Sequence, residues 1–175
     1  MSPMIAPSTF TGLWATALTL ALLVGPLHVA ALEDDQEQPL YLESDSAELF
    51  EAKSQSIYTG NVFVKQGSME IQGDQVTVRH DAERRPEFIT AIGTPATYLQ
   101  QVEGEERPVR AKALRMEYDR AKDEITLVNE AVLFQGGDVF RSDRIVYDRA
   151  KGQVKAGTIA KGKERVKITI SPSRR

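Results

Sequence analysis

Ser56-Ile-Tyr-Thr-Gly-Asn-Val-Phe-Val-Lys-Gln-Gly-Ser-Met-Glu-Ile-Gln-Gly-Asp-Gln-Val-Thr-Val78 is the stretch whose reading decides the fold. Two runs of alternating apolar residues flank Gln66-Gly67-Ser68, the pattern of strand, turn and strand. Val62 and Val64 share one face of a pleated strand, with Phe63 and Lys65 on the other, because successive side chains alternate. Met69 and Ile71 share a face, and so do Val76 and Val78. The step from Ile71 to Val76 is odd, so a straight strand sends the second pair to the wrong side. Gly73-Asp74 sits at that break, where a bulge or a sharp bend would restore the register. Tyr58 and Val62 likewise flank Gly60-Asn61. Strands that bend in the middle belong to sheets that curl into a barrel or roll.

The same plan recurs further on. A shift of 69 residues lays Glu48, Ala52, Lys53, Gln66, Gly67 and Asp74 on Glu117, Ala121, Lys122, Gln135, Gly136 and Asp143. Apolar positions agree as well: Val62 falls on Ala131, Val64 on Leu133, Ile71 on Phe140, Val76 on Ile145 and Val78 on Tyr147. The pentapeptide Tyr-Asp-Arg-Ala-Lys occurs twice, at 118–122 and 147–151, and similar turns are expected after Lys53, Lys122 and Lys151. This is a repetitive antiparallel β architecture built hairpin by hairpin.

Residues 1–31 carry no Lys, Arg, Asp or Glu, and an apolar run from Leu13 to Val24 ends at Gly25-Pro26. Val29-Ala30-Ala31 supplies the small residues of a signal-peptidase site, which predicts an export signal cleaved after Ala31. The run is short of the roughly 20 apolar residues of a membrane span, the alternative being an uncleaved anchor. Cleavage leaves 144 residues (175 minus 31), enough for one domain with its own core. The chain has no cysteine, so its stability rests on the sheet rather than on disulfides. A net charge of −3 argues against a nucleic-acid binder. The distribution says more than the sum. Glu33 to Glu51 holds eight acidic residues and no basic one, whereas Arg149 to Arg175 holds nine basic residues and one acid, Glu164.

Residues 32–38 read as a flexible polar segment, 39–171 as the folded domain and 172–175 as a tail. Strands are expected at 39–43, 47–53, 87–92, 96–102, 125–135, 139–148, 153–159 and 165–170, with Gly93-Thr94-Pro95 as a turn between two of them. Arg110 to Glu117 has helical propensity, but the repeat makes its end a strand.

Catalytic chemistry is not expected. The single histidine after the signal, His80, sits beside a charged turn with no cluster of ligands for a metal. Ser68, Ser142 and Ser171 have no histidine partner by spacing, and Asp74 and Asp143 suit turn or bulge chemistry. No glycine-rich phosphate loop opens a helix, and no cofactor is implied. Two features remain. One apolar face runs through every hairpin, either as a packed core or as the inner wall of a groove. The acidic first strand and basic last strand are open edges, either protected by charge or used to pair with another chain. Opposite charge favours a head-to-tail contact.

Thr59-Gly-Asn-Val62 with Gln66-Gly67, Gly73-Asp-Gln-Val76, Gly93-Thr-Pro-Ala-Thr-Tyr98, Met116-Glu-Tyr118 with Ala121-Lys122, and Gly162-Lys-Glu-Arg-Val166 with Ser171-Pro172 resemble the LptA (OstA-like) family in order and spacing. These are periplasmic proteins of lipopolysaccharide transport, and the resemblance runs from about Pro39 to Ser173. It implies an all-β fold, a twisted open antiparallel β-jellyroll whose apolar interior holds acyl chains. It implies a periplasmic location and assembly by edge strands. The N-terminal edge (Leu40, Tyr41, Leu42) would meet an LptC-like inner-membrane partner. The C-terminal edge (Val166, Lys167, Ile168, Thr169, Ile170) would meet an LptD-like outer-membrane translocon, and copies would join head to tail. By position, Leu40, Leu42, Val78, Tyr98, Met116 and Tyr118 match family positions that face the groove, and His80 falls at the headgroup rim. Val62, Val64, Met69, Ile71, Val76, Leu133, Phe140, Ile145 and Tyr147 join the groove by strand parity alone. The uncharged start of the signal and the Arg-rich Arg110–Arg120 stretch depart from the family pattern. Three other readings stay open: an LptC-like domain on an uncleaved anchor, a β-edge module without lipid and, more remotely, an enzyme.

Overall fold

The computed structural model describes residues 35–102, 106–157 and 165–172. The export signal with its cleavage site, and the last three residues of the tail, lie outside them. Ten strands follow one another: β1 (Leu40–Glu43), β2 (Ser46–Phe50), β3 (Gln55–Gln66), β4 (Met69–His80), β5 (Pro86–Gln100), β6 (Val109–Asp119), β7 (Glu124–Gln135), β8 (Asp138–Asp148), β9 (Gln153–Ala156) and β10 (Lys167–Thr169). They form one antiparallel sheet in the order β1-β3-β4-β5-β6-β7-β8-β10, with β2 also on β3 and β9 also on β8. Among the described residues there is no α-helix; two single 3-10 turns, Asp35–Glu37 and Glu51–Lys53, complete the set.

Each long ladder breaks near its middle: at Thr59/Val62, Gln72/Gln75, Ile92/Ala96, Lys112/Arg115 and Val128/Ala131. Aligned bulges bend every strand at the same level, so the sheet folds over along that line. Gly60 and Asn61 adopt positive φ at one break, and Asn129 and Glu130, 69 residues on, do so at another. The odd step is absorbed: Met69, Ile71, Val76 and Val78 are all buried in one core. The core draws on both halves of the folded sheet, from Val62, Tyr98 and Leu133 on one side to Ile89, Met116 and Tyr147 on the other.

The repeat is carried into the register. Shifted by 69, β3 falls on Glu124–Gln135, the bounds of β7, while β1 and β2 fall within the two halves of β6. Leu42 pairs with Val64 as Ala111 pairs with Leu133, and Ala47 pairs with Tyr58 as Met116 pairs with Leu127. The three turns also correspond. Ser54, Asp123 and Gly152 each donate a backbone N–H to the carbonyl three residues before, and each has positive φ.

The structure corrects several expectations. Residues 87–102 are not two strands split by a turn; β5 is continuous, and Gly93-Thr94-Pro95 lies in its bulge. Arg110 to Glu117 is strand throughout, because Ala111 and Ala113 before its bulge and Met116 after it belong to the core. β2 stops at Phe50, and Glu51–Lys53 turns as a 3-10 helix. β9 ends at Ala156 and β10 spans only Lys167–Thr169, so Val166 and Ile170 flank the last strand instead of lying in it. Within the expected polar segment 32–38, Asp35–Glu37 forms a 3-10 turn bonded to Ser68 and Arg149, and residues 32–34 lie outside the described ones.

Candidate functional site

Inward-facing residues on the central strands are sealed. Val62, Val64, Met69, Ile71, Val76, Val78, Tyr98, Met116, Tyr118, Leu133, Ile145 and Tyr147 are buried, and Phe140, Leu40 and Leu42 are partly buried against them. The structure thus brings the apolar residues assigned to the inner face, though not the edge residues, to one interior. It adds residues that were missed, among them Ile89, Ala91, Ala96, Ile125 and Leu127. A signal for one of these existed, since the 69-residue shift lays the aromatic Tyr58 on Leu127.

At the two ends the interior is uncovered. β1 and β2 pair only with β3, and β9 and β10 only with β8, so each outer edge is free among the described residues. The large exposed hydrophobic residues are Tyr41, Leu49, Ile92, Val166, Ile168 and Ile170, and all but Ile92 lie on or beside these edges. Leu49 is the repeat counterpart of buried Tyr118, yet it is 66% exposed. Ile168 stands opposite Phe140 as buried Tyr98 stands opposite Ile71, yet it is 53% exposed. Both are interior positions that lack the next strand. Sequence reasoning placed Leu40–Leu42 and Val166–Ile170 at the edges but overlooked that β2 and β9 extend them.

Beside the N-terminal edge a cavity of about 430 Å³ opens, walled by Leu49, Phe50, Tyr58 and Ser56, with His80 and Arg84 at its margin. His80 Nε2 lies 3.2 Å from Ser56 Oγ, while its buried Nδ1 has no partner among the described residues. His80 thus lines a cavity whose wall is part apolar (Leu49, Phe50, Tyr58) and part polar (Glu51, Gln55, Asp81). No group of three His, Asp or Glu among the described residues is placed to hold a metal.

Along the free ends of the strands, a polar seam closes the interior. The Arg149 side chain is only 4% exposed. Its Nη2 donates to Asp35 Oδ2 at 3.0 Å, its Nη1 to Asp123 Oδ1 and Tyr118 Oη at 2.9 Å each, and its Nε to Gln100 Oε1 at 3.1 Å. Gln100 ends β5 in one half of the folded sheet and Arg149 follows β8 in the other, so these bonds span the seam. Gln135 Nε2, donating to the Gly152 carbonyl at 3.0 Å, spans it as well. Burial opposes the charge on Arg149, while the neighbouring Asp123 and Asp35 carboxylates favour it, and the guanidinium is held above its usual range. Burial pushes the phenols of Tyr98 and Tyr118 well up, so both remain donors at neutral pH. The sequence held one signal for this seam: Arg120 and Arg149 are the same position of the repeated Tyr-Asp-Arg-Ala-Lys.

A family model described as LptA/(LptD N-terminal domain) LPS transport protein matches residues 41–153. The lipopolysaccharide export system protein LptH of Pseudomonas aeruginosa is 32% identical over 163 residues, covering 90% of this chain and 92% of its own. LptA of Haemophilus influenzae is 37% identical over 145 residues, covering 82% and 83%, and LptA of Escherichia coli 35% over 157 residues, covering 89% and 83%. The crystal structure of P. aeruginosa LptH, titled the LptA homologous periplasmic component of the conserved lipopolysaccharide transport device, superposes with a TM-score of 0.72. That match has 31% identity and covers 79% of this chain and 99% of the other.

Proposed function

The chain belongs to the LptA/(LptD N-terminal domain) LPS transport protein family, and from that premise we propose that it carries lipopolysaccharide across the periplasm as one link of a continuous β-bridge. Acyl chains occupy the apolar interior lined by Leu42, Val64, Met116 and Tyr118, and His80 stands at the headgroup rim. The chain works without catalysis. Each CH₂ withdrawn from water stabilises the bound lipid by about 0.8 kcal/mol, so similar successive interiors keep the lipid at nearly constant energy and the drive comes from elsewhere. Export by a signal cleaved after Ala31 places the protein in the periplasm, free of the anchor of an LptC-like domain.

The observation that carries this reading is the unfinished interior at both ends, with Leu49 and Ile168 exposed at positions whose counterparts are buried. A second copy, an LptC-like partner at the β1/β2 edge or an LptD-like translocon at the β9/β10 edge supplies the missing strand. Main-chain pairing along a free edge is the natural mode for such a joint, and acidic and basic ends favour head-to-tail order.

The internal repeat supports a specific register. Where the two repeats meet, Tyr98 pairs with Ala111, Ala91 with Met116 and Ile89 with Tyr118. The counterparts of these residues place Ile168 opposite Leu42 of the next copy, Ala156 opposite its Ala47, and Val154 opposite its Leu49. The intermolecular joint thus repeats the β5–β6 joint.

The test is photo-crosslinking in cells from Leu42 and Tyr118, probed with antibody to lipopolysaccharide. Adducts at both positions are expected. Adducts at neither, with the protein folded and exported, would make the interior a plain core and the protein an edge-binding module.

A further inference from the structure

Asp35 lies in the seam like a bound ligand. Its Oδ2 accepts from Arg149 Nη2 at 3.0 Å, from Gln100 Nε2 at 3.0 Å and from Ser68 Oγ at 2.9 Å, and its Oδ1 accepts from the Ser68 backbone N–H at 2.6 Å. Four donors from three separate elements converge on one carboxylate: a strand-end glutamine, a hairpin serine and a buried arginine. The donors have the arrangement of an oxyanion cradle, in which charge-assisted bonds are about twice as strong as neutral ones.

Its occupant comes from a short segment rather than from the sheet. Asp35–Glu37 is one 3-10 turn ahead of β1, held to the seam by polar bonds. Besides Asp35, these run from Gln66 Nε2 to the carbonyls of Gln36 and Gln38 at 3.3 and 3.0 Å, and from Arg120 Nη2 to the carbonyl of Gln36 at 3.1 Å. None of the segment's residues is buried. Polar bonds of this kind exchange for bonds to water, and the Asp35–Arg149 pair exchanges for another anion that meets the same donors. Arg120 also holds a buried Nε with no partner among the described residues. The seam therefore has a donor that the carboxylate does not use.

The place of the cradle selects its ligand. Tyr98 and Tyr118, 2% exposed, lie directly beneath it, with the Arg149 guanidinium 5.1 Å from the Tyr118 ring centroid. Cationic polar seam and apolar interior thus meet within one side chain. An amphiphile with acyl chains inside and an anionic group outside puts its charge at this level, and a phosphate monoester offers three acceptor oxygens to the donors present.

We propose that Arg149, Gln100 and Ser68 form a phosphate-binding cradle in the seam for the phosphorylated headgroup of a lipid carried in the interior, with the Asp35 carboxylate standing in for that phosphate in the empty protein. This rests on the lipid-carrier reading. Asp35 is then an internal competitor: it keeps the unloaded seam shut and leaves when the headgroup arrives. Affinity for the headgroup is lowered by the fraction of time that Asp35 holds the cradle.

The experiment is equilibrium binding of lipid A, of the same lipid stripped of its phosphates, and of inorganic phosphate, to the exported chain and to D35N, D35N/R149Q and D35N/Q100L. Far-UV circular dichroism melts verify folding, and the double variants avoid leaving a buried charge unpaired opposite Asp35. D35N is expected to bind lipid A about tenfold more tightly, or about 1.4 kcal/mol, with no change for the stripped lipid. Loss of Arg149 or Gln100 in that background should cancel the gain. Equal tightening for both lipids would make Asp35 a mere lid and overturn the cradle while leaving the carrier intact. Saturation of D35N by inorganic phosphate at concentrations where lipid A gains nothing would reassign the site to free phosphate and overturn the lipid assignment. Binding of neither lipid to any variant would bring down the carrier reading and the cradle with it.

Discussion

Leu42 stands across from Val64 in the β1–β3 ladder, in the register that Ala111 and Leu133 hold one repeat later. In the interior, Ala111 is flanked on its other side by Tyr98, whereas among the described residues Leu42 has no strand on its other side. In the head-to-tail register proposed above, the next copy sets opposite Leu42 the counterpart of Tyr98, which is Ile168.

A cysteine pair tests that joint. The chain has no cysteine of its own, and directly opposed strand residues lie within disulfide reach. L42C with I168C should give oxidised ladders of linked copies. Y41C with I168C, one residue out of register and on the opposite face, should give few. Equal ladders from both pairs would refute the register.

Core and edge residues should separate cleanly. Leu133 is fully buried, so L133A should cost about 2–5 kcal/mol in chemical denaturation. Ile168 is half exposed, so I168A should change the isolated protein by less than about 0.5 kcal/mol. Its effect belongs to assembly, read as a fall in sedimentation coefficient at high protein concentration. A large monomer destabilisation in I168A would mean that this residue completes the core of its own chain.

Two glycines differ in why they are needed. A Cβ on Gly73 would stand 2.7 Å from the Ile92 carbonyl oxygen, inside the bulge. Gly136 has open space around it but a φ of +60°. G73A should cost about 1–3 kcal/mol through overpacking, and G136A about 1 kcal/mol through backbone strain. G136N should recover part of the second loss, since Asn tolerates this conformation. Denaturation midpoints of the three variants decide the order.

The paired turns set an acid limit. Lys122 Nζ and Lys151 Nζ donate to Asp119 and Asp148 at 2.6 Å each. These bonds, opposed by burial, hold both carboxyls below their ordinary 3.8. As folded values lie below unfolded ones, the contribution is complete above the unfolded value and is lost as pH falls through the folded values. D119N/D148N should melt a few degrees lower than the parent at pH 7. The gap should narrow as pH falls below 3.8 and close once the folded carboxyls are protonated. A gap that persisted there would assign the loss to turn geometry, not charge.

Much of this was legible in the chain itself. Alternation at Val62/Val64 and the odd step to Val76 announced bent strands, because a period of two leaves no other way to keep both ends of β4 inside. The 69-residue shift announced the hairpins of β6–β8, and Ala-Lys at 52–53, 121–122 and 150–151 announced three similar turns, whose left-handed residues only the structure shows. Gly93-Thr94-Pro95 misled: Gly and Pro mark a break in pairing, and local chemistry does not distinguish a turn from a bulge within one strand. Arg110–Arg120 was ambiguous for a related reason, since its long basic side chains have helical propensity and only the neighbouring strands β5 and β7 settle the conformation.

What the sequence determined by itself is therefore local and periodic: which residues face inward, where strands bend, where hairpins turn, and that the two ends carry opposite charge. The tertiary structure decided the rest. Only folding along the line of bulges brings Asp35, Ser68, Gln100, Tyr118 and Arg149 to one place, from positions up to 114 residues apart. Polar side chains at strand ends have no period to betray them. Their partners are set by how two halves of a sheet close on each other, which depends on all the strands together.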